Sequence, residues 1–158
     1  MRGKLGVHLL GLLVLTMPIL AACSSPDSNT PAGIDETHTI EQSAPGAEIY
    51  AQYCAACHGP NGEGQRPDAP LQKDETGRFP APPHDDTGHT WHHDDDLLIQ
   101  IVKEGGMGDP KDFYDMPAFG NVLNEQEREA VLTFIKTMWT DEQRATQQTR
   151  TKAVRSGR

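Results

Sequence analysis

Residues 54–59 read CAACHG, and no other stretch of the chain limits its fold so sharply. Two cysteines separated by two small residues suit three chemistries. A redox dithiol needs only the thiols, and a zinc site needs a second pair of ligands elsewhere. Covalent attachment of a c-type haem requires the histidine that follows directly here, His58. The rest of the sequence discriminates among them. The chain has 3 cysteines in all, so a zinc site at Cys54 and Cys57 has to recruit histidines from a distant segment. A thioredoxin-like site calls for strands around a βαβ unit, and strand-like alternation is almost absent.

The amino-terminal end accounts for the third cysteine. Arg2 and Lys4 precede the acid-free apolar run LGVHLLGLLVLTMPIL, which is short and interrupted for a spanning helix. LAACSS, residues 20–25, then offers small residues at a cleavage point, which predicts a secretory signal over residues 1–22. With a cysteine heading the mature chain, the segment resembles the lipobox of bacterial lipoproteins. That resemblance implies cleavage before Cys23, diacylglycerol on its sulfur, and lipid anchoring on the periplasmic or other extracytoplasmic side of a bacterial membrane. Residues 23–44 are polar, with proline and glycine and no apolar period, and read as a flexible tether. Export leaves the reducing cytosol behind, and lipidation leaves Cys54 and Cys57 with no third cysteine.

Helix and loop surround the CAACHG motif. A first helix is expected from Pro45 or Gly46 into Cys54, with Ile49, Tyr50 and Tyr53 on one side. Residues 59–90 hold many of the prolines and glycines and form a long irregular connection. A second helix is expected from about Asp94 to Glu104, with Asp94, Asp95 and Asp96 at its positive end, Leu97, Leu98, Ile101 and Val102 on its apolar face, and Gly105 ending it. In the third, Asn124 and Glu127 form a capping box, and Val131, Phe134, Ile135 and Met138 follow helical spacing. The tail, residues 141–158, is polar; from Gln143 onward it carries basic residues and no acid, and is expected to extend the helix only briefly before fraying. The expected fold is therefore all-α, three main helices with long loops, and its apolar core is thin for such a domain. A small domain of this kind needs a staple or a cofactor. One covalently bound haem supplies a large apolar plate for the loops to cover, with Cys54 and Cys57 as thioether attachments and His58 as an axial iron ligand.

Residues 45–140 resemble a class I bacterial cytochrome c, the small single-haem fold. The motifs that carry the resemblance are Gly46, Tyr50 and CAACHG near the start, EREAVLTFIK with Val131 and Phe134 in the closing helix, and DMPAFG on the loop before it. The resemblance implies that Met116 is the sixth iron ligand, with Met107 in EGGMGDP as its rival. It implies that Pro70 offers its carbonyl to Nδ1–H of His58, although Pro67 lies close by. It leaves Trp91 between two roles, donating its indole N–H to a haem propionate or packing in the core.

Thioether sulfur opposite imidazole favours ferrous iron, and with both axial positions filled no place remains for oxygen or peroxide. The expected function is single-electron transfer by haem c, with no enzymatic chemistry and no small-molecule substrate. The chain carries a net charge of −9, and loss of Arg2 and Lys4 with the signal makes the mature protein still more acidic. That balance excludes nucleic-acid binding and favours redox partners with basic docking faces. One segment stays apart. HDDTGHTWHHDDD, residues 84–96, gathers His84, His89, His92 and His93 with five aspartates. A second metal site is one reading. The favoured reading is structural or propionate-bound histidines beside helix-capping aspartates.

Overall fold

A computed structural model describes residues 36–158. Cys23, the signal and residues 23–35 of the expected tether lie outside the described residues. Five α-helices run in the order α1 (Glu36–Tyr53), α2 (Ala55–His58), α3 (Asp95–Glu104), α4 (Glu125–Lys136) and α5 (Asp141–Ser156), with a 3-10 turn at Thr90–His92. Among the described residues no named strand forms, and the only β pairing is an isolated bridge between Phe79 and Phe113. No helix among them is long and apolar enough to cross a membrane.

The first helix begins earlier than its apolar pattern suggests, at Glu36, and it contains Pro45. Its functional half is the stretch from Gly46 to Tyr53, which crosses α4. Gly46 makes that crossing possible. A Cβ there would sit 2.1 Å from the carbonyl oxygen of Ala130 and 2.9 Å from Cβ of Phe134, so no larger residue fits. Below the contact lies the core of Tyr50, Leu98, Val131, Leu132, Ile135 and Trp139, with Ile49, Phe134 and Met138 packed against it. Tyr50 and Phe134 meet with ring centroids 5.3 Å apart. Removing apolar surface from water is what drives this association.

The helix starts follow from local chemistry. Asp94 caps α3, its carboxylate accepting from Leu97 N–H at 3.1 Å. Asn124 accepts from Glu127 N–H at 3.0 Å while Glu127 accepts from Asn124 N–H at 2.7 Å, the expected capping box of α4. The aspartates at 94–96 thus have the helix-terminal place that their charge suits.

The tail does not fray. It forms α5, the longest helix after α1, opened by a second capping box between Thr140 and Gln143. Gln147 and Thr151 are buried and tie α5 to the start of α3. Gln147 Nε2 donates to the Asp95 carboxylate at 2.6 Å and to the His93 carbonyl at 3.1 Å. Thr151 Oγ1 accepts from Asp95 N–H at 3.1 Å. Asp96 holds Arg155 and Arg158, each at 2.7 Å. This junction is polar, which is why a search for apolar period passes over it.

Candidate haem-attachment site

The helix breaks at Cys54, between α1 and α2. Cys54 N–H still bonds the Tyr50 carbonyl at 2.9 Å, while His58 N–H bonds the Cys54 carbonyl at 2.9 Å. The two cysteines therefore stand on one short turn, Cys57 exposed and Cys54 half-buried, both as free thiols. Burial, with a lesser contribution from the Cys57 charge, pushes the Cys54 thiol up to about 11. At neutral pH the Cys54 thiol is thus held as S–H.

His58 is buried, at 6% exposure. Its Nδ1 lies 2.8 Å from the carbonyl oxygen of Pro82. A carbonyl only accepts, so Nδ1 carries the proton and Nε2 keeps its lone pair for a metal. Burial holds the imidazole below its ordinary value, against the opposing effect of that hydrogen bond, which keeps the ring neutral. Two thiols and one tautomer-locked imidazole on the same turn form the donor set that a covalently attached haem requires.

The carbonyl partner is Pro82, which corrects the expectation of Pro70. The reason lies in the loop. Gln65 N–H bonds the Ala81 carbonyl at 3.2 Å, and Gln65 Oε1 accepts from Ala81 N–H at 2.9 Å. These contacts close a neck, and residues 66–80 leave it as an excursion whose far end pairs with the 109–114 loop, Phe79 N–H bonding the Asp112 carbonyl at 2.7 Å. Pro70 and Pro67 both fall on the excursion. The chain returns to the site only at Ala81, so the next proline supplies the acceptor. Counting residues from His58 fails because the count runs through the excursion.

The sequence leaves Trp91 between a propionate bond and core packing. Its indole N–H donates to the Gly88 carbonyl at 3.0 Å, and the ring packs against the core. Of its two readings, core packing is the one found. Trp139, which the sequence did not single out, has a more telling bond, its indole N–H reaching the His84 carbonyl at 2.8 Å.

Met116 is half-buried on a loop sewn to the end of α3. Its carbonyl accepts from Gly106 N–H at 3.0 Å, and Phe119 and Gly120 N–H bond the carbonyls of Val102 and Lys103 at 3.0 and 2.9 Å. Gly105 permits this approach, since a Cβ there would lie 2.7 Å from the Met116 carbonyl oxygen and its φ of +94° disfavours a side chain. Met107, the rival, is 61% exposed.

The histidine segment disperses. His84 stacks on His58 with ring centroids 3.8 Å apart, His92 lies against Trp91, and His89 meets His93 edge-on at 5.5 Å. Burial, then the neighbouring His58 and His89, hold His84 well below its ordinary value. Among the described residues no group of 3 or more His, Cys, Asp or Glu side chains is arranged to hold a metal ion.

Pro82 and Trp139 are the site residues that sequence reasoning missed; it singled out His84 in the histidine segment but not its place against His58. The proline pair APPH at residues 81–84, beside the histidine cluster, was their available signal.

Residues 43–139 match the family described as Cytochrome c. No curated protein and no solved structure matches the chain. The family domain binds covalent haem c, and Cys54, Cys57 and His58 fit that attachment.

Proposed function

The chain belongs to the cytochrome c family of electron-transfer haem proteins, and from that premise we propose that it is a membrane-anchored single-electron carrier whose iron is held between His58 and Met116. The observation that carries this reading is the Nδ1 bond of His58 to Pro82. It fixes the tautomer that leaves Nε2 as the ligating nitrogen, on the turn that presents both thiols. Haem c supplies a one-electron ferric–ferrous couple when bound.

This chain's residues do the rest. His58 would hold the iron through Nε2, whose basicity is raised by the hydrogen bond from Nδ1–H to the Pro82 carbonyl. Met116, on a loop sewn by backbone bonds to α3, would hold the iron through a soft sulfur, which favours the ferrous state relative to a second imidazole. Two protein ligands close the iron to small molecules, so the protein passes electrons and transforms no substrate. Its acidic balance of −9 steers partners with basic faces, an attraction that weakens with salt. Cys23 anchors the mature chain by its acyl chains on the extracytoplasmic side of a membrane.

The ligand assignment is tested by replacement. Met116→Ala lowers the potential and abolishes the sulfur-to-iron charge-transfer band of the ferric protein, while Met107→Ala leaves both as they were. The reverse pattern overturns it. Cys23→Ser releases the protein from the membrane fraction or stalls it as precursor; normal membrane attachment of that variant refutes the anchor.

A further inference from the structure

His84 is a half-buried ring that lies flat on the proposed ligand. The ring planes of His58 and His84 are 15° from parallel, with centroids 3.8 Å apart. Its backbone is pinned on both sides, the N–H donating to the Gly62 carbonyl at 2.7 Å and the carbonyl accepting from the Trp139 indole at 2.8 Å. Tyr50 packs edge-on against it at 5.8 Å. Its Nδ1 is buried with no hydrogen-bond partner. An unpartnered buried nitrogen opposes folding, and such an exception asks for a reason beyond filling space.

The reason follows from what one hydrogen bond leaves undone. The bond from His58 Nδ1 to Pro82 fixes one edge of the imidazole, yet the ring can still rock about that contact. A flat neighbour with a pinned backbone, backed by the Tyr50 ring, limits the remaining freedom. We propose that His84 is a positioning residue of the electron-transfer site, acting through His58 to set the plane of the axial imidazole. This rests on the reading of His58 as iron ligand. The plane of an axial imidazole relative to the porphyrin governs how unpaired spin spreads over the ring, so the consequence is electronic as well as steric.

The test uses the holoprotein. In the ferric wild type, the spread of the hyperfine-shifted haem methyl resonances reports the imidazole plane. His84→Ala alters that spread and shifts the reduction potential; His84→Phe, which keeps a flat ring, restores the wild-type spread, and His84→Leu, which keeps only bulk, does not. Leu132→Ala, a truncation of another core side chain, lowers thermal stability without moving the methyl pattern. A wild-type pattern and potential in His84→Ala or His84→Leu overturns the proposal, as does an equal change in Leu132→Ala. Should the variants fail to fold, the wild type decides. Ring protons of His84 and His58 in the ferrous holoprotein show mutual nuclear Overhauser contacts, and their absence overturns the proposal. Loss of imidazole ligation in the wild type would sink the ligand reading itself; intact ligation with an unmoved pattern sinks only the role of His84.

Discussion

Two of this protein's helix junctions are built from opposite materials. Where α1 crosses α4, a glycine lets two backbones touch and Tyr50, Val131 and Phe134 fill the contact. Where α5 meets α3, the buried groups are Gln147 and Thr151, and the outer contacts are Asp96 with Arg155 and Arg158. The first junction carries the CAACHG turn, so it must hold position under any charge state. The second draws on carboxylates and guanidinium groups, so its strength follows pH and salt. The difference separates a rigid frame for the site from an adjustable brace.

The sharpest way to break the contrast is at Gly46. Gly46→Val drives side-chain atoms into the Ala130 carbonyl, and overpacking of this kind costs about 1–3 kcal/mol or more. Because the clash is with backbone, the upper end is expected, with loss of cooperative unfolding by circular dichroism. A near-wild-type melt would show that the helices can part without harm. Next in size, Ile135→Ala removes a side chain 4% exposed and should cost about 2–5 kcal/mol by denaturant titration. Gln147→Ala should cost less, about 1–3 kcal/mol, the range for leaving buried hydrogen-bond partners unmet. Amide exchange should then quicken in α5 while α1 and α4 stay protected; uniform quickening would deny that the junctions are separate.

The smallest effect concerns Asp96. Its hydrogen bond to Arg155, with the charges of Arg155 and Arg158, holds its carboxyl below the ordinary value. A carboxyl with a depressed folded value stabilises above its unfolded value, and that contribution is lost as pH falls through the folded one. The α5 junction should therefore be intact at neutral pH and loosen in acid below the usual carboxylate range. Asp96→Asn should remove that acid dependence with only a slight loss of stability at neutral pH, as befits exposed pairs. An unchanged acid transition in the variant would assign the loosening elsewhere.

What could be read in the sequence follows the same division. The donor turn of Cys54, Cys57 and His58, the caps at Asp94 and Asn124, and the packing of Val131 and Phe134 across the first helix all depend on local or periodic spacing, and each is found. The partner of His58 depends on where a loop closes. Nothing local in residues 66–80 announces the neck between Gln65 and Ala81, so a fixed count pointed at Pro70 where Pro82 serves. Helix α5 has no apolar stripe, and only the Thr140–Gln143 capping pair signalled that the tail would continue as helix. Trp91 could be placed near the core, but the acceptor of its N–H, the Gly88 carbonyl, is set by the turn it sits in.

The proposed ligation by His58 and Met116 would leave the iron no open place, so that the site would exchange electrons and admit no ligand. Carbon monoxide added to the reduced holoprotein at neutral pH tests it most directly. The account predicts an unchanged absorption spectrum for the wild type and a shifted one for Met116→Ala. A shift in the wild type at neutral pH would contradict it, and would point to an open iron and to ligand chemistry in place of electron transfer.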